Sequence, residues 1–102
     1  MRVISRKALV KFWERWPAAL LPMMEWHRIT LRSNWRNLPD VKATFGQTGQ
    51  VKVRSGNTVL IFDIGGNKFR IIAAVSYVKG KLYILRVLTH KEYDRQPWRE
   101  QL

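Results

Sequence analysis

The fold of this chain is decided by residues 62–94, which read FDIGGNKFRIIAAVSYVKGKLYILRVLTHKEYD. The middle of this stretch is almost wholly apolar and rich in β-branched residues, and it contains two strand-like runs, 69–78 and 82–89. Between them lies the segment 79–81, Lys-Gly-Lys, and a short connection that contains glycine is typical of a β-hairpin. The stretch therefore predicts two antiparallel strands joined by a tight loop.

Polar side chains gather at the two ends of this stretch. An antiparallel hairpin brings the start of its first strand next to the end of its second, so we expect Arg70 to lie close to Thr89 and His90. The polar residues at the two ends are Asn67, Lys68, Arg70, Arg86, Thr89, His90, Lys91, Tyr93 and Asp94. This convergence at the rim of a sheet is the best functional signal in the sequence. Because rim residues are not core, we expect substitution of Arg70 or His90 to leave the fold nearly intact.

The length of the hairpin loop decides which of these residues share a face of the sheet. With the two-residue loop Lys79-Gly80, Arg70 falls opposite Thr89, and Arg86 lies on the other face. With the three-residue loop 79–81, Arg70 falls opposite His90 and shares its face with Arg86. Only the second register lets a single phosphate meet Arg70, Arg86 and His90 together. We therefore hypothesise the three-residue loop, or a bulge with the same effect.

The N-terminal part of the chain predicts an edge strand and two helices. Residues 1–4 are extended in character, and Ser5 is a suitable N-cap for a helix over 6–16. The second helix is expected over about 18–32, with a kink or a start near Pro22. The apolar face of the first helix is Ala8, Leu9, Phe12, Trp13 and Trp16, and the stripe expected on the second is Leu20, Met24, His27 and Leu31.

The segment between these helices and the hairpin predicts a short helix and two further strands. The helix is expected over 39–45, and the strands over 51–54 and 58–64. The pair Gly65-Gly66 is typical of a tight turn and lacks the spacing of a phosphate-binding loop. After residue 94 the chain is charged, and Trp98 is expected to pack back onto the body. Helices followed by strands predict an α+β domain with an antiparallel sheet.

Composition narrows the classes of function. Nineteen Lys and Arg against seven Asp and Glu give a formal charge of +12, which points first to nucleic acid and second to an acidic protein or membrane surface. The chain has no cysteine, so disulfides and thiolate metal sites are excluded. No apolar run approaches the ~20 residues of a membrane span, and no signal peptide is recognised. We therefore expect a cytoplasmic protein of one domain, residues 1–102.

The residue types at the rim suit cleavage of RNA by its own 2′-hydroxyl group. That reaction needs a base, an acid and cations around the phosphate. Histidine is the side chain whose unperturbed pKa lies near neutrality, which makes His90 a candidate for proton transfer. Tyr93 could orient a base or donate a proton, and Arg70, Arg86 and Lys68 could hold the phosphate. The same residues are equally suited to binding RNA, or merely to keeping the domain soluble, without chemistry, and the residues alone leave these alternatives open.

Two motifs give the chain a strong resemblance to a known family. FDIGGNKFR, followed after the hairpin by THKEYD, resembles the HigB toxins of bacterial type II toxin–antitoxin systems, as do the opening VISRKAL and the segment NWRNLPDVKATFG. The resemblance covers residues 1 to about 95. One departure is Asp63, where the family more often has asparagine, and which adds a negative charge near the rim.

The resemblance implies a RelE-like α+β fold with an antiparallel-dominated sheet of about four to five strands and two to three N-terminal helices on one face. It also implies an mRNA interferase, often acting on message at the ribosome. The expected partner is a HigA-type antitoxin with a helix-turn-helix domain, which would neutralise the toxin and link it to operator DNA. No cofactor, metal or membrane is expected. The motif residues are Asn67, Arg70, His90, Tyr93 and Asp94.

The sequence as a whole predicts a metal-independent endoribonuclease toxin. The residues assigned to catalysis are His90, Arg70, Tyr93 and Lys68, and those assigned to RNA binding are Asn67, Arg86, Lys91 and Asp94. The first alternative is an RNA- or ribosome-binding module that does not cleave. A DNA-binding regulator is a weaker alternative, because no helix-turn-helix pattern with a basic recognition helix is visible.

Overall fold

The computed structural model describes all residues, 1–102, and contains a five-stranded sheet and five α-helices. The N-terminal elements are β1 (Arg2–Ile4), α1 (Arg6–Arg15), a 3-10 turn (Pro17–Ala19), α2 (Leu20–Arg32) and α3 (Leu38–Thr44). They are followed by β2 (Gly49–Lys52), β3 (Thr58–Ile64), β4 (Phe69–Ser76), β5 (Lys81–Thr89), α4 (His90–Arg95) and α5 (Trp98–Gln101). The α+β class is confirmed, and β2 begins two residues earlier than the sequence predicts.

The sheet has the strand order β1-β5-β4-β3-β2. The strands from β2 to β5 pair antiparallel with their neighbours, and β1 alone runs parallel to β5. The predicted edge strand at the N-terminus is therefore confirmed. It pairs only with Lys81–Tyr83, so the rest of β5 has no strand on that side.

The first helix follows its predicted pattern except at its end. Ser5 precedes α1 with extended backbone, but its side chain makes no capping hydrogen bond. Leu9 and Phe12 are buried, as the apolar spacing predicts. Trp16, predicted to lie in the core, is 38% exposed, because α1 ends at Arg15 and Pro17 turns the chain into the 3-10 segment.

The stripe predicted on the second helix is wrong. Leu20, Met24 and Leu31 are 37%, 45% and 49% exposed, and His27 is half-buried. The residues that α2 buries are instead Met23, Trp26 and Thr30. Apolar residues surround this helix, and packing selects the face that buries the largest of them: the Trp26 ring lies 5.2 Å from that of Phe62 on β3. One side of α2 therefore carries apolar residues into solvent.

The hairpin has a longer loop than either predicted alternative. Ser76 pairs with Lys81, so the loop is the four residues 77–80. The pairing then shifts between Ile72 and Ala73, which leaves an unpaired residue, a β-bulge, on β5. Beyond the bulge, Arg86 pairs with Ile72, on the face of β4 that carries Arg70. The prediction of a three-residue loop is wrong. The alternative of a bulge is confirmed, because the bulge places Arg86 on the same face of the sheet as Arg70.

The two faces of the sheet have separate hydrophobic clusters. The helix-covered face holds fourteen buried residues from the three N-terminal helices, their connecting segments and the sheet, including Trp26, Trp35 and Phe62. The opposite face, here called the open face, holds six, namely Val53, Val59, Ile61, Ile72, Leu88 and Trp98. The three N-terminal helices lie on one face, as predicted, while α5 in the charged tail supplies Trp98 to the other. No helix has the length and apolarity that crossing a membrane would require.

Candidate functional site

The turn between β3 and β4 sets one wall of the candidate site. Gly65, Gly66 and Asn67 have φ values of 63°, 64° and 76°, a left-handed conformation that glycine adopts at low cost and that asparagine tolerates better than most residues. This turn is as tight as the sequence predicts. It directs the Asn67 carbonyl oxygen back toward β4, where it accepts a hydrogen bond of 3.0 Å from Arg70.

The start of α4 forms the facing wall. The Thr89 hydroxyl accepts a hydrogen bond from the Glu92 backbone N–H, and the Glu92 carboxylate accepts one from the Thr89 N–H, at 3.1 and 2.9 Å. This reciprocal pair is a capping box, and it explains the Thr-x-x-Glu spacing in the second motif. The His90 N–H then donates to the Lys68 carbonyl at 2.9 Å, which ties α4 to the turn.

Arg70 lies between the two walls and is 6% exposed. Its Nε lies 3.0 Å from Asp63 Oδ1, and its Nη1 donates to the carbonyls of Asn67 and Phe69 at 3.0 and 3.2 Å. Its Nη2 lies 3.1 Å from His90 Nδ1. These contacts use four of the five N–H groups of a guanidinium, so one N–H on Nη2 has no partner within the protein. The expectation that Arg70 is a rim residue outside the core is wrong, because it is a buried charge held on all sides.

Asp63 is the site residue that sequence reasoning undervalued. It pairs directly across from Arg70 in the β3–β4 ladder, and its side chain is 29% exposed. Opposite charges across an antiparallel pair stabilise each other, and this carboxylate compensates the buried guanidinium. The signal was present in the sequence, because a tight turn over 65–68 places the residue before Ile64 opposite the residue after Phe69.

His90 is held in one tautomer. A guanidinium can only donate hydrogen bonds, so His90 Nδ1 accepts from Arg70 and the ring proton lies on Nε2. That nitrogen is 3.2 Å from Asp94 Oδ2, four residues further along α4. The His90 side chain is 48% exposed, so the imidazole lies at the protein surface with its Nδ1 facing Arg70.

Tyr93 lies between Arg70 and the C-terminal tail. The Arg70 guanidinium carbon is 5.1 Å from the Tyr93 ring centroid, a cation–π distance. On its other side, the Trp98 ring stacks at 5.3 Å with an interplanar angle of 23°. Trp98 is 4% exposed, and its Nε1 donates to the Tyr93 carbonyl at 3.1 Å. The prediction that Trp98 packs back onto the body is confirmed, but its contact with Tyr93 had no signal in the sequence.

The remaining predicted site residues lie around this cluster or away from it. The side chains of Asn67, Lys68 and Lys91 are exposed beside it, on the turn and on the first turn of α4. Arg86 is separate from it: its Nη1 donates to the Leu85 carbonyl at 2.8 Å, and it lines a groove between α1 and β5. Although Arg86 shares a face with Arg70 by register, it makes no hydrogen bond or ion pair with Arg70 or His90.

The arrangement provides an acceptor nitrogen, a phenol, one free guanidinium N–H and two exposed lysines within one turn and one short helix. No position gathers three or more of the side chains that bind metal ions. These groups suit proton transfer and anion binding at a phosphate. The residues that the structure brings together from the predicted set are Arg70, His90, Tyr93 and Asp94.

Comparison with known proteins gives consistent results. Residues 20–96 match the family model HigB_toxin, a RelE-like toxic component of a toxin–antitoxin system. The chain is 31% identical over 94 residues to the mRNA interferase toxin HigB of Escherichia coli strain K12, covering 92% of this chain and 88% of that protein. It is 23% identical over 95 residues to the mRNA interferase HigB of Escherichia coli O6:H1, covering 93% and 90%. The matched segment includes the two walls and ends before Trp98.

Proposed function

The chain belongs to the HigB family of RelE-like toxins, and from this premise we propose that it is an mRNA interferase whose active site is the cluster of Arg70, His90 and Tyr93. The observation that carries the assignment of the site is the contact between Arg70 Nη2 and His90 Nδ1 at 3.1 Å. It joins the two family motifs at a single point on the open face. Cleavage proceeds by attack of the RNA's own 2′-hydroxyl and uses no protein-bound metal.

The proposed step begins with the phosphate at the cluster. A non-bridging oxygen takes the free Nη2 N–H of Arg70, with the exposed lysines Lys68 and Lys91 and the amide of Asn67 holding the neighbouring backbone. The bound phosphate also draws Nη2 of Arg70 from His90, while Nε and Nη1 keep their contacts with Asp63 and the two carbonyls. His90 Nδ1 is thereby released to accept the proton of the 2′-hydroxyl. Asp94 holds the opposite ring nitrogen and stabilises the imidazolium that forms.

One bond to phosphorus forms and one breaks in this step, and His90 and Tyr93 transfer the two protons involved. The 2′-oxygen forms a bond to phosphorus, and the bond between phosphorus and the 5′-oxygen breaks. The Tyr93 hydroxyl, which makes no hydrogen bond within the protein, gives its proton to the departing 5′-oxygen. The products are a 2′,3′-cyclic phosphate and a 5′-hydroxyl end, and Tyr93 and His90 then exchange protons with water.

The partners follow from the family and from charge. We propose that the substrate is mRNA in the cytoplasm, bound on the ribosome, and that a HigA-type helix-turn-helix antitoxin neutralises the toxin and links it to operator DNA. Expression of this chain alone should arrest bacterial growth, and co-expression of the adjacent antitoxin should restore it. Normal growth with soluble, folded toxin would contradict the toxin function.

Purified protein and ribosome-bound message test the assignment of the site. His90→Ala and Tyr93→Phe should each lower the cleavage rate by about 100-fold or more, because each removes one proton-transfer group. Lys91→Ala should weaken RNA binding a few-fold, while the matched control Lys79→Ala, on the hairpin loop at the far end of β4, should not. Full cleavage by His90→Ala would remove His90 from the mechanism. Tight RNA binding by the native protein without any cleavage would instead favour a non-cleaving module.

A further inference from the structure

The outer side of the helix layer carries an apolar patch that the fold does not use. Leu21, Met24 and Leu31 on α2 are 76%, 45% and 49% exposed, and the half-buried Trp13 of α1 lines the same hollow. We call Trp13, Leu21, Met24 and Leu31 the apolar patch. Their spacing on α2 places the three aliphatic side chains on one side of that helix. Three large aliphatic groups in one exposed hollow mark an interaction surface, since scattered exposed residues do not share a hollow.

The rim of the apolar patch is basic. Arg6 and Arg28 line the hollow, and Glu25 is the acidic residue beside them. Glu25 is paired with Arg28, whereas Arg6 stacks over the Trp13 ring at 5.3 Å and has no carboxylate partner. The positive charge of Arg6 is therefore not neutralised within the protein. A ligand that covers the apolar patch with acidic groups at its edge would satisfy it.

The chemistry of the patch favours a protein ligand. Aliphatic side chains neither pair with phosphate nor stack on bases as aromatic rings do, so the apolar patch is a poor surface for RNA. A second copy of the chain carries the same charge of +12 and would be repelled. A helix with apolar residues on one side and Asp or Glu at the margins complements both the hollow and its rim.

We infer that the apolar patch is the docking surface for an acidic amphipathic segment of the antitoxin. The inference rests on the toxin–antitoxin partnership of the family, and it is independent of the proposed cleavage chemistry. The patch belongs to the layer of α1 and α2, whereas Arg70 and Tyr93 lie on the open face. Docking there leaves the site itself untouched, so loss of docking produces a toxin that keeps its activity and escapes its antitoxin.

Charge insertion into the patch tests the inference. Leu21→Glu and Met24→Glu place a carboxylate where the acidic partner would lie, at positions exposed enough to leave the fold intact. Each should weaken antitoxin binding by about 30-fold or more, as expected for the loss of a central apolar anchor. The matched control is Val78→Glu, since Val78 is 100% exposed on the hairpin loop, and its affinity should stay within about threefold of the native value. Near-ultraviolet circular dichroism establishes that each variant is folded.

The measurements of antitoxin binding and vesicle binding separate the inference from its rivals. Weak antitoxin binding with native cleavage supports it, as does restoration of part of the affinity by a complementary lysine in the antitoxin. Antitoxin affinity within about threefold of native for both patch variants would overturn it. Loss of binding to anionic vesicles of phosphatidylglycerol, with antitoxin binding retained, would overturn it in favour of a membrane surface. If neither the native protein nor any variant cleaves RNA, the proposed activity is wrong. The antitoxin affinities still decide whether the apolar patch is the docking surface.

Discussion

The two faces of the sheet differ in what covers them and in what they hold. Three helices cover the fourteen buried residues of the helix-covered face. Its aromatic rings pack against one another, and the Phe62 ring centroid lies 5.2–6.2 Å from those of Trp26, Trp35 and Phe45. The open face has six buried residues, with Trp98 as the contribution of the tail, and it carries the buried charge of Arg70. Most of the buried apolar contacts therefore lie on one face, and the proposed active site lies on the face with the thinner cover.

The largest expected effect is the loss of Arg70. Arg70→Leu should reduce cleavage by about 1,000-fold, because it removes the phosphate donor and the orientation of His90 together. It should also lower the free energy of unfolding by about 2–3 kcal/mol, since Asp63 and two carbonyls lose their partner in a partly buried place. Urea unfolding and single-turnover cleavage measure the two effects.

Arg86→Leu is the matched control for this substitution. It removes the same type of side chain from the same face, but Arg86 is not part of the cluster, so its unfolding free energy should change by less than about 0.5 kcal/mol. Equal losses of stability in the two variants would mean that Arg70 is not the special buried charge of the open face.

Two adjacent isoleucines allow a direct comparison of the faces. Ile71 and Ile72 are both 0% exposed on β4, and they point to the helix-covered face and the open face respectively. Ile71→Ala should cost about 4 kcal/mol and Ile72→Ala about 2 kcal/mol, because the thinner cover relaxes more readily around a cavity. Thermal unfolding measures both, and a larger cost for Ile72→Ala would reverse the comparison.

Much of the fold could be predicted from local pattern. The strand Thr58–Ile64 has the predicted bounds, and the helix after Ser5 begins where expected, because periodicity and turn residues fix such elements locally. The buried side of α2 could not be predicted, because leucines, methionines and Trp26 occur all round it and only the position of Phe62 selects among them. The hairpin loop could not be predicted either, since the bulge near Leu85 compensates for the changed loop length.

The site was predicted as far as the motifs reached. The hairpin pattern predicts that both motifs converge, and Arg70, His90, Tyr93 and Asp94 do so. The burial of Arg70 depends on Asp63 and on the Gly65–Lys68 turn, and the support of Tyr93 comes from Trp98, beyond the matched segment. The pairing of Asp63 with Arg70 follows from the spacing of this turn, whereas the contact between Trp98 and Tyr93 is a tertiary contact that no spacing in the sequence encodes.

Substitution of Trp98, which covers the open face, should have an intermediate effect on cleavage and tests whether this cover positions Tyr93. Trp98→Leu removes the stacking partner of Tyr93 and should lower kcat by about tenfold with little change in KM, as expected when a group is misplaced but still present. Trp98→Phe keeps an aromatic face and should restore most of kcat. If the leucine and phenylalanine variants lose stability and kcat in the same proportion, Trp98 has only a structural role and does not position Tyr93.

The smallest effect concerns the pH dependence of stability and His27, which lines the hollow on the outer side of the helix layer. Burial and the nearby positive charge of Arg6 lower the pKa of His27 below its ordinary value of 6.5. The unfolded chain therefore takes up this proton more readily than the folded protein, so stability falls as the pH drops below about 6.5. His27→Gln should flatten the stability profile between about pH 5 and 7 without changing cleavage at neutral pH. An unchanged slope would show that His27 does not contribute.

The most direct test of the central claim is the chemistry of the RNA ends. Cleavage by the native protein on ribosome-bound message should leave a 2′,3′-cyclic phosphate and a 5′-hydroxyl end, detected by end-specific ligation and mass spectrometry. A message with a 2′-deoxy nucleotide at the cut position should resist cleavage, because the attacking group is absent. Products with 3′-hydroxyl and 5′-phosphate ends, or cleavage of the deoxy substrate at the native rate, would contradict a reaction in which Arg70, His90 and Tyr93 promote attack by the RNA itself.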